Sequence, residues 1–196
     1  MPTAAILAGG QARRLGGRDK SQIVIGGRTI LDRLIDTLHL VVDRVVVVTG
    51  DPSRIREPRV TVVQDLVPGA GGLGGIYTAL ATADERVLVV ACDMPFLTAP
   101  FLARVLEAGG DTDAAVPRDD AGYHPLCACY SQACAEPIRR RVEAGVLKVL
   151  DLFGDIRVRD IGPEEIAAHD PDGLLLLNIN TPDDLSRAER GGGRLA

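Results

Sequence analysis

Residues 3–20 read T-A-A-I-L-A-G-G-Q-A-R-R-L-G-G-R-D-K, an apolar run that passes directly into a loop rich in glycine and cations. The apolar run predicts a buried strand. The glycines of the loop lack a Cβ, so the backbone can bring its N–H groups against an anion. The fixed cations beside those donors are Arg13, Arg14, Arg18 and Lys20. A strand followed by such a loop predicts a cradle for a polyphosphate.

The spacing of this loop differs from that of the P-loop. Gly10 and Gly16 are one residue too far apart for G-x-x-x-x-G-K-[ST], and Gly17 is followed by arginine where that motif needs lysine. A P-loop NTPase is therefore not predicted.

Length and charge narrow the class of protein. The chain has 196 residues, 46% hydrophobic, and a net charge of −5. An acidic balance argues against nucleic-acid binding, which relies on a broad basic surface. No apolar run reaches the ~18 residues of a membrane span, and residues 1–20 do not resemble a secretory signal. We therefore expect a cytoplasmic protein that binds neither nucleic acid nor membrane.

Apolar runs alternate with helical patterns along the chain. Spacings of three and four between Ile30 and Leu38 predict a helix, and Thr98-Ala-Pro100 predicts the cap and first turn of another. Further strands are predicted at 44–49, 60–64, 86–91, 113–116, 123–130, 157–161 and 174–178. Continuous apolar strands separated by helices predict an α/β fold, a Rossmann-like and mostly parallel sheet with helices on both faces.

We expect one domain over residues 1–190 and a frayed tail at 191–196. The regular strand pattern of 1–118 indicates a nucleotide-binding half, and 119–190 would bind the acceptor. The cysteines are expected to be reduced core residues, because one C-x-C pair without a second pair or suitably spaced histidines is not a usual zinc pattern. They are Cys92, Cys127, Cys129 and Cys134.

A competing motif lies at Gly69–Gly74, where G-A-G-G-L-G satisfies G-x-G-x-x-G. It follows a predicted strand, and Asp93 stands about 20 residues on, as in dinucleotide-binding folds. An oxidoreductase that binds NAD or FAD is thus a second hypothesis. Against it, Asp65-Leu-Val-Pro68 separates the glycines from the strand, whereas the fingerprint needs the turn at the strand end, normally that of the first strand.

Asp93 follows the apolar run 87–92 and should emerge at the carboxyl end of a buried parallel strand, where open α/β sheets bind ligands. Mg²⁺ commonly takes one or two carboxylates together with substrate phosphates and water. We therefore predict that Asp93 holds Mg²⁺; the alternative is an aspartate that only turns the chain before Pro95. Asp65, also at a strand end, is a candidate for the base or ribose of a nucleotide.

Asn178 and Asn180 are two residues apart and should project from one side of an extended segment. An amide both donates and accepts, which suits a polar heterocycle or a metal-bound water. Thr181-Pro-Asp-Asp184 is typical of a helix cap and first turn. His39 and His169 are interpreted as structural.

Four strings carry a family resemblance: residues 7–20, V-V-A-C-D-M-P-F-L at 89–97, Y-H-P-L-C-A at 123–128 and N-I-N-T-P-D-D-L at 178–185. Together they resemble the molybdenum cofactor guanylyltransferases, which are nucleotidyltransferases of the sugar-nucleotide-transferase-like type. The resemblance covers nearly the whole chain. It implies transfer of GMP from GTP to the terminal phosphate of molybdenum-molybdopterin, giving the guanine dinucleotide cofactor and pyrophosphate. Mg²⁺ would be the cofactor, and transient contact with cofactor-handling or target enzymes would fit this role.

The residues expected in the site fall into three groups. Nucleotide binding is expected of Leu7, Ala8, Gly9, Gly10, Lys20, Asp65 and Asp93. Catalysis is expected of Arg14, Lys20 and Asp93. Acceptor binding is expected of His124, Lys148, Asn178 and Asn180.

The chain departs from the family pattern at two places. Gly72 and Gly74 stand where a G-P-L-A-G-like loop has proline and alanine, which predicts a more flexible loop. Val48-Thr49-Gly50 stands where the guanylyl enzymes often have asparagine. A CTP-dependent cytidylyltransferase acting on the same pterin therefore remains an alternative.

Overall fold

The computed structural model describes residues 2–9 and 22–192. The strands are β1 (Thr3–Leu7), β2 (Val24–Ile25), β3 (Arg28–Thr29), β4 (Arg44–Thr49), β5 (Thr61–Gln64), β6 (Arg86–Ala91), β7 (Ala114–Asp119), β8 (Gly122–Tyr123), β9 (Cys127–Ser131) and β10 (Val158–Ile161). The helices are α1 (Ile30–His39), α2 (Gly71–Ala81), α3 (Ala99–Ala108), α4 (Ala135–Glu143), α5 (Pro163–Ala167) and α6 (Pro182–Gly192). Short 3-10 turns lie at Pro52–Arg54, Gln132–Cys134 and Val149–Gly154.

The central sheet of the described chain has the strand order β10-β7-β9-β6-β1-β4-β5, with β8 paired to β7. β1 pairs in parallel with both β4 and β6, so that Ala5 lies between Val46 and Val89. β5 is parallel to β4, and β10 to β7. β9 runs antiparallel between β6 and β7. The predicted α/β fold with a mostly parallel sheet is confirmed.

Two apolar layers bury the sheet. Alternate residues of β1 face opposite sides, as the period of a strand requires. Ile6 packs in the cluster that contains residues of α1 and α3, whereas Ala5 and Leu7 pack in the cluster that contains residues of α2 and α4. Because both faces are covered, every residue of β1 is buried, and all of them except Thr3 are apolar.

Both helix starts predicted from the sequence are confirmed. α1 begins at Ile30 behind Thr29, whose hydroxyl accepts a hydrogen bond from the Asp32 N–H. α3 begins at Ala99, with Pro100 in its first turn. The predicted strand at 123–130 is split, because β8 ends at Tyr123 and β9 starts at Cys127.

Two predictions near the C-terminus are wrong. Residues 174–178 form no strand: 175 and 176 lie in a turn, and the others have no regular structure. The Asp170 carboxylate accepts the N–H groups of Leu174 and Leu175 and holds the chain in a bend. Their apolar pattern reflects burial against the core. The tail was expected from Gly191, yet α6 includes Gly191 and Gly192. Within the helix, Gly191 packs so closely on Leu174 that a Cβ would overlap with that side chain. Residues 193–196 lie outside the described residues.

The cysteines are buried, as predicted for core residues. Burial raises the pKa of Cys127 to about 12 and that of Cys134 to about 12. The division of the domain at residue 118 stays a prediction, since the one sheet contains strands from both sides of it.

The two glycines that depart from the family pattern lie in α2 and not in a flexible loop. A Cβ on Gly74 would lie 2.9 Å from the Val67 carbonyl oxygen and 2.9 Å from the Ala70 Cβ. A Cβ on Gly72 would meet only side-chain atoms, the nearest being Leu126 Cδ2 at 3.1 Å. The expectation of a more flexible loop is therefore wrong at these positions: glycine at 74 permits close packing of the helix on the segment before it.

We expect Gly74→Ala to lower the free energy of unfolding. Overpacking against a backbone carbonyl costs about 1–3 kcal/mol, whereas alanine in a helix gains about 0.5–1 kcal/mol over glycine. The net loss should be on the order of 1 kcal/mol, measured by urea denaturation. Gly72→Ala adds the same methyl group against movable side chains and should change stability less. Equal effects of the two substitutions would contradict the packing argument.

Candidate functional site

A cleft of about 170 Å³ opens at the carboxyl ends of four parallel strands. Leu7 and Thr49 are the last residues of β1 and β4, and Gly9 follows soon after β1. Asp65 comes directly after β5, and Asp93 follows β6 with Cys92 between them. This is the edge of an open α/β sheet at which ligands bind.

Backbone hydrogen bonds beyond the strand ends hold these residues in place. The Ala8 N–H donates to the Val48 carbonyl at 2.8 Å, and the Asp65 N–H donates to the Thr49 carbonyl at 2.8 Å. On the other side of β1, the Asp93 carbonyl accepts from the Ile179 N–H at 2.9 Å. Ala8 and Asp65 are therefore fixed by the ladder that forms the sheet, and Asp93 is fixed by a hydrogen bond from a segment outside the sheet.

Four of the residues predicted to bind nucleotide meet in this cleft: Leu7, Gly9, Asp65 and Asp93. Ala8 lies between two of them, with its N–H in the ladder. Gly10, Arg14 and Lys20 lie outside the described residues, which end at Gly9 on the wall of the cleft and resume at residue 22.

The first turn of α2 closes one side of the cleft with Gly71 and Gly72. The N–H groups of a first helical turn have no partner within the helix and carry partial positive charge. Ala70 at the N-cap supplies no side-chain hydrogen bond to them. A Cβ on Gly75 would lie 2.9 Å from Leu7 Cδ1, so glycine here lets the helix approach β1 closely.

The predicted acceptor residues His124 and Asn178 lie together. Both line a cavity of about 190 Å³ that also contains Met94, the neighbour of Asp93. Both also line an adjoining cavity of about 460 Å³. Nε2 of His124 lies 2.8 Å from the Asp119 carboxylate, which holds the ring in a fixed orientation. Leu126 lines both the smaller cavity and the strand-end cleft, so the two are neighbours.

Lys148 and Asn180 lie elsewhere. Lys148 is exposed and precedes Val149, whose Cγ2 packs at Gly72 near the first turn of α2. Asn180 is exposed, and its N–H donates to the Asp184 carboxylate, which also accepts from Thr181. Asn178 is half-buried and lines the two cavities. Ile179 between the two asparagines is buried, and the expectation that both project from one side of an extended segment stays a prediction. The cap expected at Thr181–Asp184 is present, since the Thr181 hydroxyl accepts from the Asp184 N–H at 3.2 Å.

The sequence matches the family described as the MobA-like NTP transferase domain over residues 4–156. The chain belongs to this family. It is 36% identical to the molybdenum cofactor guanylyltransferase of Desulfosudis oleivorans, over 95% of this chain and 94% of that protein. A probable molybdenum cofactor guanylyltransferase of Pelotomaculum thermopropionicum is 37% identical, over 95% of this chain and 91% of its own.

A solved structure shares the fold. The crystal structure of molybdopterin-guanine dinucleotide biosynthesis protein A from Archaeoglobus fulgidus superposes with a TM-score of 0.83 at 29% identity, covering 98% of this chain and 99% of the other. This MobA-like protein is therefore a nucleotidyltransferase, as the resemblance implied.

Sequence reasoning missed several walls of the nucleotidyltransferase cleft, among them Thr49, Gly75, Cys92 and Leu126. Thr49 and Cys92 could have been found, since each stands at the end of an apolar run. Leu126 could not, because it lies in the turn before an antiparallel strand and reaches the cleft only through packing.

The carboxylate of Asp93 suits a metal ion whose other ligands come from a bound substrate and water. Among residues 2–9 and 22–192, no cluster of three or more histidine, cysteine or acidic side chains could hold a metal ion by itself. The half-buried carboxylate of Asp93 is a donor that suits Mg²⁺ when phosphate oxygens and water supply the remaining ligands.

None of the described helices is long and apolar enough to cross a membrane.

We expect the cysteines of the MobA-like protein to differ in reactivity. The thiolate is the reactive form, so Cys127 and Cys134, with pKa values of about 12, should resist iodoacetamide near pH 8. Cys92 lines the cleft with 8% of its surface exposed, so it should react faster than Cys127 and Cys134. Binding of a nucleoside triphosphate in the cleft should lower the labelling rate of Cys92. Peptide mass spectrometry after timed labelling gives each rate. Labelling of Cys127 in the folded protein at the rate of Cys92 would contradict this order.

Proposed function

We propose that this nucleotidyltransferase transfers GMP from GTP to the terminal phosphate of molybdenum-molybdopterin, releasing pyrophosphate. The observation that carries the proposal is the cleft that joins Asp93, Asp65 and the start of the glycine loop at Gly9, beside the cavity that contains His124 and Asn178. The names of the relatives at 36% and 37% identity support guanylyl transfer over cytidylyl transfer.

The strand order supports one orientation of the nucleotide. β6 and β5 are three strand spacings apart in the order β6-β1-β4-β5, or about 14 Å at roughly 4.8 Å per spacing. Asp65 only accepts hydrogen bonds when ionised, so it suits donors on the base or ribose and repels phosphate. The triphosphate would then lie at the other end, between Gly9 and Asp93.

The proposed reaction needs positioned charge rather than a protein nucleophile. The loop amides that follow Gly9, together with Arg14 and Lys20, would hold the β- and γ-phosphates. Asp93 would hold Mg²⁺, which when bound neutralises negative charge on the phosphates. An oxygen of the acceptor phosphate forms a bond to the α-phosphorus, and the bond from that phosphorus to the bridging oxygen breaks. Pyrophosphate leaves with the electron pair.

The acceptor would occupy the cavities beside the cleft. The acceptor would bind to His124, which Asp119 orients, and to the amide of Asn178, next to Asp93. Lys148 would reach it from the segment that packs against the first turn of α2. Holding both substrates in one geometry supplies much of the rate enhancement in such transfers. A cytoplasmic location and transient contact with cofactor-handling or target enzymes belong to this proposal.

The oxidoreductase hypothesis lacks structural support. The Gly69–Gly74 motif follows β5, the outermost strand on its side of the sheet, and starts five residues after that strand ends. In a dinucleotide-binding fold the fingerprint directly follows the first, central strand. In this chain the first strand of the sheet is β1, which lies between β6 and β4, and the glycines that follow it in the sequence begin at Gly9.

We expect Asp93→Asn to fold normally and to lose most transfer activity, because an amide cannot supply the charged ligand that Mg²⁺ prefers. Raised Mg²⁺ should restore part of the activity. The measurement is pyrophosphate release against Mg²⁺ concentration, with the exposed Asp84→Asn as the matched control. Identical curves for wild type and Asp93→Asn would show that Asp93 does not hold the metal.

Ligand protection separates the candidate functions. A ligand that binds only the folded state raises its stability, by about 2.7 kcal/mol at a hundred times its Kd. We expect GTP with Mg²⁺ to raise the melting temperature more than CTP with Mg²⁺, and NAD to have no effect. Thermal shift assays check this, and stabilisation by NAD alone would overturn the nucleotidyl transfer proposal.

A further inference from the structure

Thr78 is a buried polar residue on the second turn of α2, behind the cleft, with 1% of its surface exposed. Its hydroxyl oxygen accepts the Leu66 N–H at 3.0 Å. The same oxygen lies 2.9 Å from Oδ1 of Asp65 and 3.0 Å from the carbonyl oxygen of Gly74. It therefore joins α2 to the segment that carries Asp65 into the cleft.

The hydroxyl has one proton for two acceptors, Asp65 and Gly74. The Gly74 carbonyl is already the partner of the Thr78 backbone N–H in the helical ladder. If the proton pointed to Gly74, lone pairs of Thr78 and of the Asp65 carboxylate would face each other at 2.9 Å. A hydrogen bond to a charged acceptor is also the stronger one. The hydroxyl therefore donates to Asp65.

The described residues hold the carboxylate of Asp65 through one of its two oxygens. Oδ1 accepts from the Thr78 hydroxyl and from the Val67 N–H, the latter at 3.0 Å. In the described part of the chain, both of these hydrogen bonds fall on Oδ1, so Oδ2 is the oxygen offered to a ligand. The Asp65 N–H is fixed by Thr49, which leaves the side-chain torsions as the remaining freedom.

We propose that Thr78 is a positioning residue for nucleotide recognition, which fixes the Asp65 carboxylate so that Oδ2 accepts a hydrogen bond from a donor on the base or ribose. This inference rests on the proposed nucleotide site. Thr78 itself touches no substrate. It acts from the second turn of the helix whose first turn borders the same cleft.

The test uses Thr78→Val, which keeps the size of the side chain and removes the hydroxyl. We expect the KM for GTP to rise about tenfold, the scale of one hydrogen bond to a charged group, with kcat changed less than about twofold. Binding of inorganic triphosphate should be unchanged, because that ligand occupies only the phosphate end. Thr78→Ser restores the hydroxyl and should restore the KM.

Two controls separate positioning from a general loss of stability. Thr82→Val removes a hydroxyl from the end of the same helix, where it bonds to the Ala79 carbonyl, and should leave the KM unchanged. In a double-mutant cycle, Thr78→Val should add little to the effect of Asp65→Ala, because it acts through that carboxylate.

The possible outcomes test the inference on Thr78 and the proposed nucleotidyl transfer separately. If Thr78→Val weakens inorganic triphosphate as much as GTP, or if its effect adds fully to that of Asp65→Ala, then Thr78 is structural and the inference is wrong. If Thr78→Val binds GTP like wild type, this inference fails and the nucleotidyl transfer proposal stands. If the wild type binds neither GTP nor inorganic triphosphate, the proposed function itself fails.

Discussion

The parallel pairing of β1 with both β4 and β6 is the constraint on which the rest of the structure depends. Because helices cover both faces of this pairing, the strands can present residues to a ligand only at their ends, and open α/β sheets bind ligands at the carboxyl ends. Hydrogen bonds of the ladder continue past those ends and fix Ala8 and Asp65. Gly9 and Asp93 therefore border one cleft although they are far apart in sequence.

Helix α2 packs closely on β1 and on the segment after β5, and its first turn borders the cleft. Gly75 lets the helix approach Leu7, and Gly74 lets it approach the carbonyl of Val67, so its first turn reaches the cleft. A helix held this closely can also hold another group in place, and Thr78 does so for Asp65. The glycines thus restrict the position of the helix through close contact, although glycine by itself adds conformational freedom.

The cavity lined by His124 and Asn178 depends on contacts between distant segments. β9 runs antiparallel between β6 and β7, and the turn before it places His124 next to the cleft. Asn178 reaches the same cavity from a segment outside the sheet, which the Ile179 N–H attaches to the carbonyl of Asp93. A nucleotide at the strand ends and an acceptor in this cavity would meet near Asp93.

The sequence by itself determined the fold class, the buried strand β1, and the edge at which Asp65 and Asp93 emerge, because two-sided burial makes the interior of a parallel strand apolar and a polar residue follows it. It could not separate Asn178 from Asn180, place Lys148, or tell the buried segment 174–178 from a strand, since burial gives both the same apolar pattern. Tertiary structure decided these points, together with the contact between Thr78 and Asp65, because each depends on which segments pack against each other. The sequence around Thr78 does not indicate that its hydroxyl contacts another segment. Only the tertiary structure places the Asp65 carboxylate 2.9 Å from that hydroxyl.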